Sequence, residues 1–231
     1  VTPTVDKAGV NHDGKTYVNC EHGHEYVISH RDAPIRTFGV ADRFSTVNIT
    51  VDEASSTWKT TTTGGALRFK NVFPSGKNAY LEVEVSADND SRKMGYWPYL
   101  TMYLENSSGS YITGGNDIKF TTSIGSKITE GRTIPEWVTF MDANGNVLTG
   151  DSNAVYRYIV RVDLSNDALK TATGFDLVGG SASNNDTFKL HSATYYEKCD
   201  GTGDHANTTA KSSVACGTTP AATWNECDFC G

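Results

Sequence analysis

The run AVYRYIVRVDL, Ala154 to Leu164, constrains the fold more than any other stretch of the chain. Tyr156, Tyr158, Val160, Val162 and Leu164 recur at every second position, with Arg157, Arg161 and Asp163 between them. Residues two apart share a face only in an extended strand. One face therefore belongs to a core and the other to water, which is the pattern of an antiparallel sheet.

The same alternation returns along the chain. Val47, Ile49 and Val51 alternate with Thr46, Asn48 and Thr50 in STVNITV, which reads as one strand. Ala79, Leu81, Val83 and Val85 share a face in AYLEVEVS, as do Ile118, Phe120, Thr122 and Ile124 in DIKFTTSI. ALRFKNVF, EWVTFM and TFKLHSATYYE read as further strands. Glycine- and asparagine-rich turns such as PSGKN, NSSGS and DANGN separate them. Asn144-Gly145 is expected to form a type I′ hairpin turn. DANGN opens like a calcium loop but lacks the closing Glu, so the turn is the reading kept. SNDALKTAT has room for one short helical turn. Many short strands between polar turns make the expected fold all-β, an antiparallel β-sandwich of jelly-roll-like type.

Three segments follow. Residues 1–35 show little periodicity and are expected to be an irregular segment packing on the sandwich, with YVNCEHGHEYVISHRD as a hairpin or loop. Residues 36–198 form the sandwich. Residues 199–231 are a Cys/His-rich tail with too few apolar residues to hold itself together by burial.

The net charge of −7, without a run of Lys and Arg, excludes a phosphate-backbone grip and an anionic membrane surface. No apolar run reaches the roughly 18–20 residues of a membrane span. VTPTVDKAGVNHDGK has no apolar leader core. The abundance of Ser, Thr, Asn, Asp, Gly and Tyr leads to the expectation of a chain outside the cell or on its surface, its sequence beginning after a removed leader or inside a cloned fragment, over a cytosolic one.

The tail spaces Cys199, His205, Cys216, Cys227 and Cys230 so that the last two form a C-x2-C knuckle. Such a knuckle brings two thiolates to one tetrahedral ion at Zn–S distances of about 2.3 Å. Cys199 and Cys216 would complete a structural zinc site with all four positions filled. His205 could replace either of these. Disulfides are the competing reading, with Cys20 as the fifth cysteine and a partner for Cys199, and a disordered tail is the third. His22 and His24 lack a third ligand and read as surface histidines.

GYWPYLTMYLE, Gly95 to Glu105, raises the question of function. On a strand, Tyr96, Leu100, Met102 and Leu104 fall on one side, and Trp97, Tyr99, Thr101 and Tyr103 on the other. Pro98 favours an edge or strand start and so an exposed Trp97. Sugar rings pack their C–H faces on aromatic rings while polar side chains hold the hydroxyls. Trp97 and Tyr99, spaced about 6.6 Å on one face, would be adjacent platforms, extended by Tyr96 or Tyr103. Asp90, Arg92 and Lys93 would supply hydrogen bonds. Trp58, in the polar stretch ASSTWKTTTTGG, is expected to be exposed and to serve as another platform. Trp137 is expected to pack inward.

No nucleophile elbow, zinc-protease, phosphate-loop or dinucleotide motif is present in the sequence. Glu82 and Glu84 alternate with core positions, as on a solvated face. A binder is therefore expected and not an enzyme. The alternatives are a glycoside hydrolase or lyase on the same sandwich, or a protein-binding adhesin domain.

The tail, ending AATWNECDFCG after CDGTGDH and VACG, resembles the Cys/His-bearing segments of modular cell-surface proteins from anaerobic gut bacteria. The body, closing on DTFKLHSATYYE, is similar to the last strand of jelly-roll carbohydrate-binding modules. Together they resemble a non-catalytic glycan-binding domain of the starch-adherence kind. The resemblance implies a polysaccharide partner, α-glucan first, for a monomeric domain of a larger surface protein.

Overall fold

The computed structural model describes residues 4–6, 14–19, 25–30, 33–87, 99–114, 117–121, 126–129, 132–179, 187–198, 208–212 and 223–227. Its first nine strands are β1 (Thr4–Asp6), β2 (Gly14–Asn19), β3 (Glu25–His30), β4 (Ala33–Phe38), β5 (Ser45–Val47), β6 (Ile49–Asp52), β7 (Thr57–Thr60), β8 (Gly65–Phe69) and β9 (Ala79–Ala87). The rest are β10 (Tyr99–Asn106), β11 (Lys119–Thr121), β12 (Val138–Met141), β13 (Val147–Leu148), β14 (Arg157–Asp163), β15 (Ala172–Gly179), β16 (Thr187–Glu197), β17 (Thr208–Ser212) and β18 (Thr223–Cys227). Two compact units result: Arg36–Tyr195, and Val1–Ile35 together with Tyr196–Gly231.

The Arg36–Tyr195 unit is an all-β antiparallel sandwich. One sheet runs β11-β10-β15-β8-β5; the other runs β13-β12-β14-β9-β16-β7-β6, with β4 beside β16. Alternation decides what each sheet buries. Leu67, Phe69, Leu100, Met102, Leu104, Phe175 and Leu177 line the inner face of the five-stranded sheet. Leu81, Val83, Val85, Tyr158, Val160 and Val162 do so on the facing sheet. Phe120 meets Phe140 and Tyr158 edge-on at 5.8 and 5.7 Å, which ties the two layers together. Each such side chain contributes about 1.5–3 kcal/mol by leaving water. Trp137 packs against this core, as expected. No helix among the described residues is long and apolar enough to cross a membrane.

In the other unit, β1, β2 and β3 make a three-stranded antiparallel sheet, and β17 and β18 pair as a ribbon. The N-terminal segment, expected to be irregular, thus carries regular strands. Within YVNCEHGHEYVISHRD, β2 and β3 pair antiparallel, in line with the hairpin that was one of its two expected readings.

Three local expectations are corrected. STVNITV is two strands, because Asn48 takes φ 50° and breaks the run. Ser45–Val47 joins β8 in one sheet, while Ile49–Asp52 joins β7 in the other. Asparagine tolerates this left-handed conformation better than other side chains do. The Asn144-Gly145 turn is not type I′, since only Gly145 has positive φ, at 81°. Gly145 N donates to Asp142 O at 3.0 Å, and Asp142 N to Asn146 O at 3.0 Å. This is a type I turn closed by a left-handed glycine.

Trp58 is 0% exposed, not solvent-facing. Its neighbourhood is the strand β7, not a loop, and its indole lies 5.4 Å from the cross-strand partner Phe188. Threonines flank it, and β-branched polar residues suit strands as well as loops.

Candidate functional site

The outward face of the five-stranded sheet carries charge where a strand would ordinarily carry small polar residues. Register places Tyr103 (β10), Asp176 (β15), Arg68 (β8) and Ser45 (β5) in one row across the sheet. Glu105, two residues beyond Tyr103, stands opposite Gly174 on β15 and opposite Tyr111 across the hairpin. A Cβ on residue 174 would lie 2.3 Å from Phe69 O and 3.2 Å from Glu105 Oε1. Glycine there makes the room that the carboxylate occupies.

Arg68 joins the two acids. Its Nε donates to Asp176 Oδ2 at 2.8 Å and its Nη2 to Glu105 Oε2 at 3.2 Å. Tyr111 OH donates to the same Asp176 oxygen at 2.6 Å. Glu105 and Asp176 are both 0% exposed, whereas the Arg68 side chain is 30% exposed. The second oxygens, Glu105 Oε1 and Asp176 Oδ1, are buried without a hydrogen-bond partner. Each such orphan costs about 1–3 kcal/mol, so this cluster is an expensive thing to keep under a sheet face.

Burial first, and then the negative charge of Asp176, raise the Glu105 carboxyl above its usual range, while Arg68 and Lys70 pull the other way. Burial also raises Asp176, against the hydrogen bonds from Tyr111 and Arg68. The Tyr111 phenol is raised by burial, by its hydrogen bond to Asp176 and by that carboxylate's charge.

The turn that delivers Tyr111 repeats the one at Asp142. Asn106 Oδ1 accepts from Ser108 N at 3.1 Å and Ser110 N at 3.0 Å. Asp142 Oδ1 accepts from Asn144 N at 2.8 Å and Asn146 N at 2.9 Å. Gly109 takes φ 83°, as Gly145 does at its turn. NSSGS and DANGN therefore fold alike because each begins with a side-chain oxygen that accepts from the amides two and four residues on. Past the turn, Ile112 N donates to Leu104 O at 2.9 Å and Leu104 N to Thr113 Oγ1 at 2.9 Å. This sets Tyr111 beside Tyr103, ring centroids 4.5 Å apart and planes 20° apart.

Tyr111 is 47% exposed, so the stack presents aromatic surface to water. Phe44, before β5 at the far edge, is 66% exposed with Lys70 Nζ 5.7 Å from its ring centroid. The outward face of the other sheet is different in kind. Glu82 and Glu84 are paired with Arg161 and Arg157 at 2.7 and 2.6 Å, and Arg161 lies over Tyr80. A cavity of about 10 Å³ beside Val85, Leu100, Phe120 and Phe188 has room for one water at most.

No family model, curated protein or solved structure matches the chain. Chemistry and geometry alone therefore bear on what the face does.

Of the residues singled out in the sequence, Tyr103 stands on this face, and the backbone of Tyr99 opens β10 opposite Thr121. Tyr96, Trp97, Asp90, Arg92 and Lys93 lie outside the described residues, as do Cys199, Cys216 and Cys230. Cys227 ends β18 with its backbone opposite Thr208. Trp58, buried in the core, offers no platform. Among the described residues no three His, Cys, Asp or Glu side chains gather as a metal site. Sequence reasoning missed Arg68, Glu105, Tyr111 and Asp176. A lone acid inside ATGFDLVG and a lone base inside ALRF were the available signals, but only the register brings them together.

Proposed function

We propose that the sandwich is an extracellular, non-catalytic carbohydrate-binding module that captures a polysaccharide on the outward face of its five-stranded sheet, α-glucan being the first candidate. The observation that carries this reading is the Tyr103–Tyr111 stack, held half in water above a buried charged cluster. A ring stack with Tyr111 exposed and Tyr103 part-buried behind it suits the C–H face of a pyranose, and the part-exposed guanidinium of Arg68 suits its hydroxyls. Trp97 and Tyr99 extend the platform in this reading, as the sequence suggests. In the tail, Cys199, Cys216, Cys227 and Cys230 hold a structural zinc.

Affinity electrophoresis through gels containing starch, xylan, mannan or mucin tests it. Retardation by one polysaccharide, lost in Tyr111→Ala and in Tyr103→Ala, supports the reading. Unretarded migration on all four, or variants that migrate like the wild type, ends it. Release of reducing ends from the retarding polysaccharide would move the protein to the glycoside hydrolases or lyases.

A further inference from the structure

We infer that Asp176 is the positioning residue of this aromatic face: its carboxylate, braced by Arg68, fixes the Tyr111 ring against Tyr103. The ligand side of this inference rests on the saccharide reading above, but the positioning itself does not.

The turn at 106–110 fixes the backbone of Tyr111 and leaves its side-chain torsions to be set by contacts. A half-exposed ring has few of those. Its phenol is held at 2.6 Å by an oxygen that also accepts from Arg68 Nε at 2.8 Å. Arg68 is steadied in turn by Glu105. The chain Glu105–Arg68–Asp176–Tyr111 thus runs from under the sheet face to the ring that stands on it. Preorganised contact groups of this sort reduce the ordering that binding must supply.

A purely structural residue at 176 would be apolar. The position is 0% exposed, and an apolar side chain there would avoid stranding Oδ1. Retaining a carboxylate there makes sense when something must be held by it.

The groups facing the cluster are Arg68 from β8, Lys70 just beyond it, Glu105 and Tyr103 from β10, Asp176 from β15 and Tyr111 from the segment after the turn. One guanidinium lies between two buried carboxylates, so full ionisation of both leaves an excess of buried negative charge. Both carboxyls are raised by burial, and an acid with a raised folded pKa loses stability as pH rises past its unfolded value. The hydrogen bonds from Tyr111 and Arg68 favour the ionised form of Asp176, so protonating that carboxyl weakens the hold on the ring.

Two variants and two readouts test the inference. Tyr111→Phe keeps the ring and removes the hydroxyl, and Asp176→Leu removes the holder. Each is expected to weaken retardation by the binding polysaccharide about five- to tenfold, the worth of one well-placed aromatic contact, and the double variant no further. The second readout needs no glycan. At about pH 11, above the ordinary tyrosine value, the 295 nm tyrosinate absorbance of Tyr111→Phe should equal that of wild type. Asp176→Leu should raise the absorbance by part of one tyrosinate, because burial, the largest cause of the raised value, remains. If Tyr111→Phe instead loses one tyrosinate, the phenol is not held and the positioning inference falls. If Tyr111→Phe binds glycan like wild type while Tyr111→Ala does not, positioning falls and the saccharide reading stands. If Tyr111→Ala also binds normally, the saccharide reading falls and the absorbance comparison alone decides positioning.

Discussion

Replacing Arg68 with methionine is the sharpest perturbation of the outward face. The guanidinium holds two carboxylates that are both 0% exposed, at 2.8 and 3.2 Å. Removing one partner from a buried ionic cluster leaves uncompensated charge and costs about 3–5 kcal/mol. Arg68 is 30% exposed, so part of its attraction is screened and the lower end, about 3 kcal/mol, is the expected loss at pH 7. For a unit of this size that is a fall of roughly 6–12 °C in melting temperature. The pH dependence carries the sign. Both acids already have raised folded pKa values, and loss of Arg68 raises them further. The penalty is present above the ordinary carboxylate range and shrinks as pH falls toward about 3.5, where both are protonated in either state. Urea unfolding at pH 7 and at about pH 3.5 reads the two losses. Adding Glu105→Leu and Asp176→Leu should restore much of the stability at pH 7. A loss below about 1 kcal/mol at pH 7, the worth of a surface ion pair, or an equal loss at both pH values, refutes the description of the cluster.

Gly174→Ala should cost at least about 1–3 kcal/mol in the same assay, because its Cβ would meet backbone at 2.3 Å; a neutral result would mean that β8 and β15 are not this close. Asn106→Ala and Asp142→Ala open matching turns, so both should lower the melting temperature, but only Asn106→Ala should weaken polysaccharide retardation, since only that turn delivers Tyr111. The Asp142 carboxyl is held below its usual range by hydrogen bonds from Asn146 and then Asn144. Its turn is thus secured above that range and loosens as pH falls through it, which turn amide exchange would show. For the tail, one zinc per chain with four thiols titratable only after chelation is expected; thiols absent without reductant would point to disulfides.

What the sequence made legible was period. AYLEVEVS and AVYRYIVRVDL show their buried faces outright, because each strand has one face on a shared core and one in water. Trp58 was misread because Thr-rich β7 has the composition of a loop; its burial depends on Phe188, more than a hundred residues away. STVNITV was misread because alternation survives across Asn48 while the strands on either side join different sheets. The candidate face was least legible of all. Tyr103 was visible as an outward tyrosine of β10, but Arg68, Glu105 and Asp176 sit one to a strand and Tyr111 lies beyond a turn. Cross-strand register alone assembles them, and register is a property of pairing that no local pattern encodes.

Ring-selective NMR of tyrosine-labelled protein tests the central claim most directly. On addition of a malto-oligosaccharide, the Tyr103 and Tyr111 ring resonances should shift together, while Tyr80, on the outward face of the opposite sheet, stays in place. Tyr103 and Tyr111 rings that stay in place at a malto-oligosaccharide concentration that retards the protein would contradict the assignment of this face.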